Sequence, residues 1–597
     1  MSDYSAPIRD MQFVLHELLG LEEVTRLEGC GDLNRELVDS ILEEAGRFAG
    51  EVLAPLNRTG DQQGSVLRDG VVVTPDGFKE AYGKFAENGW ASLPCHPDFG
   101  GQGLPYAVAM PVQEMWKASN LSFSLCPMLT LGAIEAISHH GSAEQIRTYL
   151  PSMVAGRWTG TMNLTEPQAG SDLSAVRTKA APHGDHYRLS GTKIFITWGE
   201  HEHTENIVHL VLARLPDAPE GVKGISLFIV PKFLLSPDGA PGRRNDVRCV
   251  SLEHKLGINA SPTCVMALGE KEGAVGYLMG EPHRGLEYMF TMMNHARLAV
   301  GLEGVAISER AYQQALGYAK ERVQGFPIGE PPTGRVPIIR HPDVRRMLLS
   351  MKSQIEAMRA LAYFAAVLMD KSKRHPDPAE RRRAQGLLDL LIPVVKGWCT
   401  EQSIEITSTG VQIHGGMGFI EETGAAQHFR DARITAIYEG TTGIQATDLI
   451  GRKVGRDGGQ IALGLLGEMA KTGIALEQNP REELRPIGIP LGKALAALEQ
   501  STRWVAKTYG NDPRAAAAGS VPYLKLFGIV TGGWLLGRAA LAAQAALDRG
   551  TSEQAFYRGK LLTARFYADH QLSQAAALAH AVIHGSAATL ALADEQF

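Results

Sequence analysis

The segment with the clearest chemical potential is Ile437-Tyr438-Glu439-Gly440-Thr441, which places an ionisable carboxylate between an aromatic ring and a glycine. A carboxylate can act as a general base, and burial in a dry pocket raises its pKa and therefore its basicity. A single glutamate also has structural explanations, such as a helix cap or an internal ion pair. Glu439 therefore becomes informative only together with other segments.

Two further segments carry groups suited to a phosphate-bearing ligand. One runs from Met162 to Asp172 with the sequence MNLTEPQAGSD, and the other from Gln412 to Phe419 with the sequence QIHGGMGF. Thr165 offers a hydroxyl, while the Gly-Ser pair at 170–171 offers backbone N–H groups and a small donor. Glycines also let a backbone approach a ligand closely. Each motif alone has a high false-positive rate, since an ordinary strand and turn fits it equally well.

Together, and in this order along the chain, the three segments resemble the acyl-CoA dehydrogenase family. The resemblance covers roughly residues 45 to 450. It implies a flavoenzyme that binds FAD and desaturates the bond between C2 and C3 of an acyl-CoA thioester. In such an enzyme Glu439 would remove the proton alpha to the thioester, and its backbone N–H would stabilise the charge that develops on the thioester oxygen.

The resemblance also assigns the residues that contact the cofactor. Either Phe195 or Trp198 would pack on the flavin. Phe195 stands where the family usually has tryptophan, and Trp198 directly follows Thr197. A guanidinium suits a pyrophosphate because it binds two oxygens at fixed charge. The full set of implied FAD contacts is Met162, Leu164, Thr165, Gly170, Ser171, Phe195, Thr197 and Thr441, joined from a neighbouring subunit by Arg322, Gln412, Gly415 and Gly416.

The substrate side is assigned in the same way. Asn294 and Arg297 match, three residues apart, the family positions that contact the CoA moiety, although a salt bridge or a helix-surface arginine would explain Arg297 as well. The resemblance further implies that Ser171 contacts the substrate and that Tyr438 and Gly440 flank the acyl thioester.

Composition limits the class of protein. A chain of 597 residues predicts several folding units. Its formal net charge of −6 gives no reason to expect nucleic acid as a partner. The six cysteines lie far apart in the sequence, which favours a reduced, cytoplasmic protein. We see no secretory signal, and we expect a soluble helix at 572–593 and at most peripheral membrane contact.

The periodicity predicts a mainly α fold with a central β domain, like that of the acyl-CoA dehydrogenases. A helix over 33–56 is expected to end at Pro55, and short β-rich runs between 157 and 283 predict a small antiparallel sheet. We place the domains at 1–32 (N-terminal extension), 33–156 (helical), 157–283 (β), 284–454 (helical, catalytic) and 455–597 (an additional helical domain).

A metal site is not expected. His201-Glu202-His203 resembles a pair of ligands, but it is predicted to lie in an exposed acidic loop without a third ligand nearby. Zinc sites usually use three or four protein ligands.

Three functional classes share the scaffold that the motifs indicate. The first is a dehydrogenase that passes electrons to an electron-transfer flavoprotein, the second an acyl-CoA oxidase that uses oxygen, and the third a DNA-binding relative. Residues 461–597 hold 13 Lys and Arg against 11 Asp and Glu. DNA binding needs a clear basic surface, so the near balance argues against the third class.

The substrate is left open between two types. The opening sequence YSAPIRDM and the added C-terminal helices resemble a long bacterial subgroup of the family. That subgroup includes enzymes for medium- or long-chain fatty acyl-CoA, our first expectation, and for 3-methylthiopropanoyl-CoA, the alternative. We also expect a homodimer, with a tetramer left open, because Arg322 and Gln412 match residues that reach a neighbour's cofactor.

Overall fold

The structure is a computed structural model that describes residues 4–329 and 334–597. It forms two compact units, and we describe each by itself. The sheet unit comprises residues 47–104 and 119–299, and the helical unit comprises the described residues of Met1–Gly46, Pro105–Ala118 and Val300–Phe597.

Four complete α-helices lie among the described residues of the sheet unit. The most apolar of them is α7 (Leu121–His140), which is buried along most of its length and begins where Oδ1 of Asn120 accepts the backbone N–H of Phe123. A capping box formed by Ser142 and Gln145 starts the next helix, and it satisfies two N–H groups that a helix start leaves open. The four helices are α4 (Pro55–Gln63), α5 (Phe78–Glu87), α7 (Leu121–His140) and α8 (Ala143–Val154).

An eight-stranded sheet forms the centre of this unit, in the order β10-β11-β5-β12-β7-β6-β3 with β4 paired to β5 and β6. An antiparallel sheet was predicted, but β3 and β4 each pair with β6 in parallel, so the sheet is mixed. Its strands are β3 (Trp158–Asn163), β4 (Lys179–His183), β5 (His186–Thr197), β6 (Asn206–Arg214), β7 (Ile225–Pro231), β10 (Val247–Leu252), β11 (Thr263–Leu268) and β12 (Ala274–Leu278). Two short hairpins pair β1 (Val66–Arg68) with β2 (Val71–Val73) and β8 (Phe233–Leu235) with β9 (Pro241–Arg244).

Long helices dominate the helical unit. The longest are α9 (Gly285–Glu321), whose part from Val300 onward belongs to this unit, α10 (Pro342–Arg374) and α11 (Pro378–His414). The others are α1 (Ile8–Gln12), α2 (Leu21–Val24), α3 (Arg35–Phe48), α6 (Tyr106–Ser119), α12 (Ala425–Ala432), α13 (Thr442–Asp448), α14 (Gln460–Glu477), α15 (Arg485–Asn511), α16 (Pro513–Ala518), α17 (Ser520–Asp548), α18 (Gln554–His570), α19 (Ala575–His584) and α20 (Ser586–Ala591).

Two details differ from the sequence-based expectations or refine them. Pro55 does not end the first long helix; a π-helical turn over Ala49–Leu53 follows α3, and Pro55 then begins α4 at its first position, where a missing N–H costs nothing. The helix expected at 572–593 is divided at Gly585 into α19 and α20.

Two helices, α7 and α17, are long and apolar enough to cross a membrane by length and composition alone. In each, 83% of the most apolar window is buried inside the protein. Core helices of large proteins have the same character, so this finding is weak evidence for a membrane span.

Candidate active site

Strand β5 is joined firmly to the loop that follows β3. Nζ of Lys193 donates to the backbone oxygen of Leu164 at 3.0 Å and to Oε1 of Glu166 at 2.8 Å. The N–H of Ile194 donates to the backbone oxygen of Thr165 at 2.9 Å. These bonds hold the loop that carries Thr165 beside the strand that ends at Thr197.

The charges in this junction are buried. Glu166 is 3% exposed and Lys193 is 0% exposed. Burial acts to raise the pKa of Glu166, but Lys193 and the donors Thr178 and Arg177 outweigh it and lower the pKa to about 2. Burial lowers the pKa of Lys193 to about 8. Both groups are charged at neutral pH, so a buried ion pair fixes the loop after β3 to strand β5.

A bulge in β5 turns Phe195 outward. Between Cys264 and Met266 of β11 the register shifts, and Phe195 adopts a left-handed conformation with φ of 59°. Phe195 is 57% exposed, whereas Trp198 is 1% exposed and its indole N–H donates to the backbone oxygen of Ser122 at 3.1 Å. Of the two rings considered for the flavin, only Phe195 is available to a ligand.

The other flavin candidates of this unit differ in exposure, and Leu164 is buried. Met162, Thr165 and Thr197 are half-buried, and Gly170 and Ser171 are exposed. No side-chain hydrogen bond involves either threonine hydroxyl within the described residues. A Cβ added to Gly170 would meet open space. The backbone N–H groups and hydroxyls of this edge can therefore serve a bound molecule.

A second group of candidates lies where two long helices of the helical unit end. The rings of Tyr318 on α9 and His414 on α11 stack with centroids 4.5 Å apart. Arg322 follows the end of α9, and Gln412 lies in the last turn of α11; both are exposed. The glycines at 415–416 have open space where a side chain would stand. The structure thus presents a guanidinium and an uncovered glycine turn on neighbouring helix ends.

Glu439 lies in a strained turn. Its φ is 54° and that of Gly440 is 89°, so two successive residues are left-handed. Nε2 of Gln445 donates to the backbone oxygens of both residues at 3.2 Å each, and Nζ of Lys396 donates to the oxygen of Gly440 at 2.7 Å. Strain of this kind persists where surrounding contacts enforce it, and it is concentrated at functional sites.

Tyr438 anchors the same turn from its other side. Its hydroxyl donates to Oε2 of Glu303, and Nζ of Lys117 lies 3.9 Å from Oε1 of Glu303. Burial raises the pKa of Glu303 to about 7, opposed by Lys117, the Tyr438 hydrogen bond and Lys396. Burial together with the neighbouring Glu303 also raises the pKa of Tyr438 well above its usual value.

Thr441, expected to contact the cofactor, has a structural role in this structure. Its hydroxyl oxygen accepts the backbone N–H of Ile444 at 3.3 Å and caps α13. A hydroxyl that accepts one bond can still donate another, so the cap leaves the predicted contact open.

The two predicted CoA contacts differ in exposure. Asn294 is exposed on α9, whereas Arg297 is 4% exposed. Arg297 is therefore not the helix-surface arginine that was one alternative. The assignment of both residues to CoA stays a prediction.

The histidines once considered as metal ligands are not in an exposed loop. His201 is 0% exposed and its Nε2 lies 3.0 Å from the hydroxyl of Thr159, while Nε2 of His203 lies 2.7 Å from the hydroxyl of Thr74. Burial lowers the pKa of His201 well below its usual value and that of His203 to about 4. Within residues 4–329 and 334–597 no group of three or more His, Cys, Asp or Glu is placed to hold a metal ion.

Family models match most of the chain in the order expected for the three motifs. They are the acyl-CoA dehydrogenase N-terminal domain at residues 36–157, the middle domain at 161–269 and the C-terminal domain at 283–454. A further model, described as acetyl-CoA dehydrogenase C-terminal like, matches residues 465–593. The chain belongs to the acyl-CoA dehydrogenase family.

Relatives of similar length share this architecture. The chain is 50% identical, over 96% of its length and 97% of the relative's, to 3-methylmercaptopropionyl-CoA dehydrogenase of Ruegeria pomeroyi. It is 35% identical, over 96% of each chain, to the broad-specificity linear acyl-CoA dehydrogenase FadE5 of Mycobacterium tuberculosis. An acyl-CoA dehydrogenase of Bacillus anthracis, solved in complex with FAD, has the same fold, with a TM-score of 0.74, 21% identity and coverage of 96% of this chain and 91% of that one.

The acyl-CoA dehydrogenase family uses FAD, and the residues present here fit that cofactor. The sheet unit offers the exposed Phe195 ring and the hydroxyls of Thr165 and Thr197, which have no side-chain partner among the described residues. The uncovered glycines and the exposed Arg322 of the helical unit suit a diphosphate. The chain is an FAD-dependent acyl-CoA dehydrogenase, and its predicted fold class is confirmed.

The residues that hold the Glu439 turn were not found from the sequence. Lys396 interrupts the apolar run Leu390 to Cys399, and Glu303 stands in a similarly apolar part of α9. A single charged residue within an apolar, buried part of a helix is almost always paired. The sequence could therefore have indicated that Lys396 and Glu303 have buried partners. Nothing in the sequence indicated Gln445.

Proposed function

We propose that this dehydrogenase introduces a double bond between C2 and C3 of 3-methylthiopropanoyl-CoA, with Glu439 as the base. The observation that carries the assignment of Glu439 is the left-handed turn at Glu439 and Gly440, which is fixed from both sides by Gln445, Lys396 and Glu303. The left-handed conformation of Glu439 destabilises the fold, and such strain is concentrated at functional sites. Because Glu439 also occupies the position of the family's base, a catalytic role explains the strain better than a structural role does.

The chain's own part in the reaction is proton removal and charge stabilisation. The carboxylate of Glu439 takes the alpha proton, and the backbone N–H of Glu439 donates to the thioester oxygen as negative charge develops there. FAD, when bound, would supply the two-electron oxidant needed to accept the hydride of the adjacent carbon. Tyr438 and Gly440 flank the thioester and exclude water from it.

The choice of the methylthio substrate rests on the relative from Ruegeria pomeroyi, which shares half of the residues over nearly the whole chain. Medium- or long-chain fatty acyl-CoA is the second candidate, because the Mycobacterium tuberculosis relative of the same length acts broadly on linear acyl-CoA. The length of the acyl group that the enzyme accepts depends on the depth of the substrate pocket, and no sequence motif predicts that depth.

A substrate panel separates the two candidates. We would measure kcat/KM with acyl-CoA esters from about four to about 18 carbons and with 3-methylthiopropanoyl-CoA, using a dye as electron acceptor. The proposal expects the methylthio ester to exceed every fatty ester by at least about tenfold, a preference of roughly 1.4 kcal/mol. A maximum at a medium- or long-chain ester would assign the enzyme to the second candidate.

We also propose an electron-transfer flavoprotein as the electron acceptor. The alternative classes on this scaffold are an acyl-CoA oxidase and a DNA-binding protein. The substrate-reduced enzyme should reoxidise slowly in air and rapidly with electron-transfer flavoprotein. Fast reoxidation by oxygen would identify an oxidase instead.

A homodimer is the third part of the proposal. Apolar side chains next to the Gly-rich turn are unusually exposed, among them Phe419 at 86%, Met417 at 49% and Ile420 at 45%. Exposed apolar groups beside cofactor-binding residues mark an association surface. We expect FAD-loaded enzyme to sediment as a dimer and Phe419→Asp to weaken it. Leu562→Asp, at an exposed leucine far along the chain, is the control. A stable FAD-loaded wild-type monomer would refute this part.

A further inference from the structure

A buried polar chain, Lys117–Glu303–Tyr438, lies behind the turn that carries Glu439. Glu303 is 0% exposed and Lys117 is 2% exposed. Removing a carboxylate and an ammonium group from water costs more than a loose pair returns, and these two approach no closer than 3.9 Å. The pair is therefore poorly explained as a source of stability.

The hydrogen bonds of Glu303 point to the turn instead. Oε1 of Glu303 accepts none from the described residues, whereas Oε2 accepts the hydroxyl of Tyr438. Tyr438 directly precedes Glu439, so a change at Glu303 reaches the base through one side chain. A charged acceptor makes a hydrogen bond roughly twice as strong as a neutral one does.

The far side of the turn is held by two other side chains. Nζ of Lys396 and Nε2 of Gln445 bind the backbone oxygen of Gly440. Without Glu303 the turn would be fixed on one side only, and the carboxylate of Glu439 could swing about the left-handed residue.

We propose that Glu303 is a positioning residue for the dehydrogenation, which holds the Tyr438 side of the turn so that Glu439 keeps the orientation needed to remove the alpha proton. The inference rests on the proposed role of Glu439. Lys117 supplies an opposite charge that acts against the effect of burial on the pKa of Glu303 and so favours its ionised form, the stronger acceptor.

Titration of this acceptor gives the inference a specific signature. The charged and titratable groups that face Glu303 are Lys117 on α6, Lys396 on α11 and Tyr438 in the turn. Burial raises the pKa of Glu303 to about 7, so the Tyr438 bond weakens as pH falls through neutrality. A glutamine at 303 accepts the same bond without titrating.

The test is anaerobic mixing with saturating 3-methylthiopropanoyl-CoA, in which the bleaching of the flavin is followed between about pH 6 and pH 9. We expect Tyr438→Phe to slow bleaching by roughly 10- to 100-fold, since a misplacement of about 1 Å can cost 10²-fold. Acyl-CoA affinity and FAD content should stay close to those of the wild type. Glu303→Gln should slow bleaching less than Tyr438→Phe does. In this variant the bleaching rate should no longer change near pH 7.

Tyr363→Phe provides a matched control. The hydroxyl of Tyr363 donates to Oε2 of the buried Glu114 at 2.6 Å, the same kind of bond in the same unit. This variant should lose stability but keep the wild-type bleaching rate per bound FAD. Wild-type rates in Tyr438→Phe and Glu303→Gln, or an equal loss in Tyr363→Phe, would overturn the inference. A wild-type enzyme that no acyl-CoA ester bleaches would overturn the proposed function, and the inference with it.

Discussion

At the scale of the residue, the geometry of the base depends on the glycine that follows it. Gly440 has φ of 89°, and a Cβ there would stand 2.7 Å from Nε2 of Gln445, the atom that binds the turn. Gly440→Ala adds left-handed strain of about 1–2 kcal/mol and displaces Gln445. We expect flavin bleaching to slow by at least about tenfold while FAD remains bound.

Gly443→Ala is the control for that substitution. Gly443 is exposed, and a Cβ there would meet only the hydroxyl of Thr441, at 3.7 Å. It should bleach at the wild-type rate. Equal rates for Gly440→Ala and the wild type would show that the conformation of the turn does not matter to catalysis.

At the scale of the element, the Lys193–Glu166 pair joins β5 to the loop after β3. Lys193→Met leaves the buried Glu166 without its opposite charge, a change that costs about 3–5 kcal/mol in comparable cases. We therefore expect a large fall in the free energy of unfolding, measured in urea, and weaker FAD binding. The exposed pair Arg284–Glu287 is the comparison, and Arg284→Gln should change little. Similar effects of both substitutions on the free energy of unfolding and on FAD binding would contradict the stabilising role of the Lys193–Glu166 pair.

Helices with a clear hydrophobic periodicity could be predicted from the sequence, whereas features that depend on tertiary contacts could not. The helical conformation of residues 35–53 and of most of 575–591 follows from local periodicity. The bulge at Phe195 and the parallel pairing of β3 depend on partner strands distant in sequence. The exposure predicted for His201 was wrong, because polar composition suggested a loop at the surface while the Thr159 hydroxyl provides a partner inside.

The candidate site shows the same division. Motif order led to Glu439 and to the cofactor segments, because such motifs are local in sequence. Lys117, Glu303 and Lys396 come from three different helices, and only folding brings them to the turn. The exposure of Phe195 rather than Trp198 likewise depends on backbone conformation, which no residue type dictated.

At the scale of the whole molecule, buried neutral histidines predict acid sensitivity. His209 is 1% exposed, hydrogen-bonds to the hydroxyl of Thr161, and burial lowers its pKa to about 3. The unfolded chain, with an ordinary histidine pKa of about 6.5, binds more protons between these values, so stability is full above pH 6.5 and falls as the pH drops below it.

His209→Gln isolates this contribution. Between pH 6.5 and pH 4.5 the free energy of unfolding of the wild type, relative to that of the variant, should fall by about 2 kcal/mol. Urea titrations of both proteins at several pH values measure it. Parallel pH profiles would contradict the buried, neutral state of His209.

The most direct test of the account is Glu439→Gln. Glutamine keeps the size and the backbone N–H of Glu439 but cannot accept the alpha proton, so FAD and acyl-CoA binding should persist. Anaerobic mixing with 3-methylthiopropanoyl-CoA should show flavin bleaching slowed by about 10²–10⁴-fold or more. Glu422→Gln, at an exposed position, should match the wild type. Prompt bleaching in Glu439→Gln would show that another residue is the base.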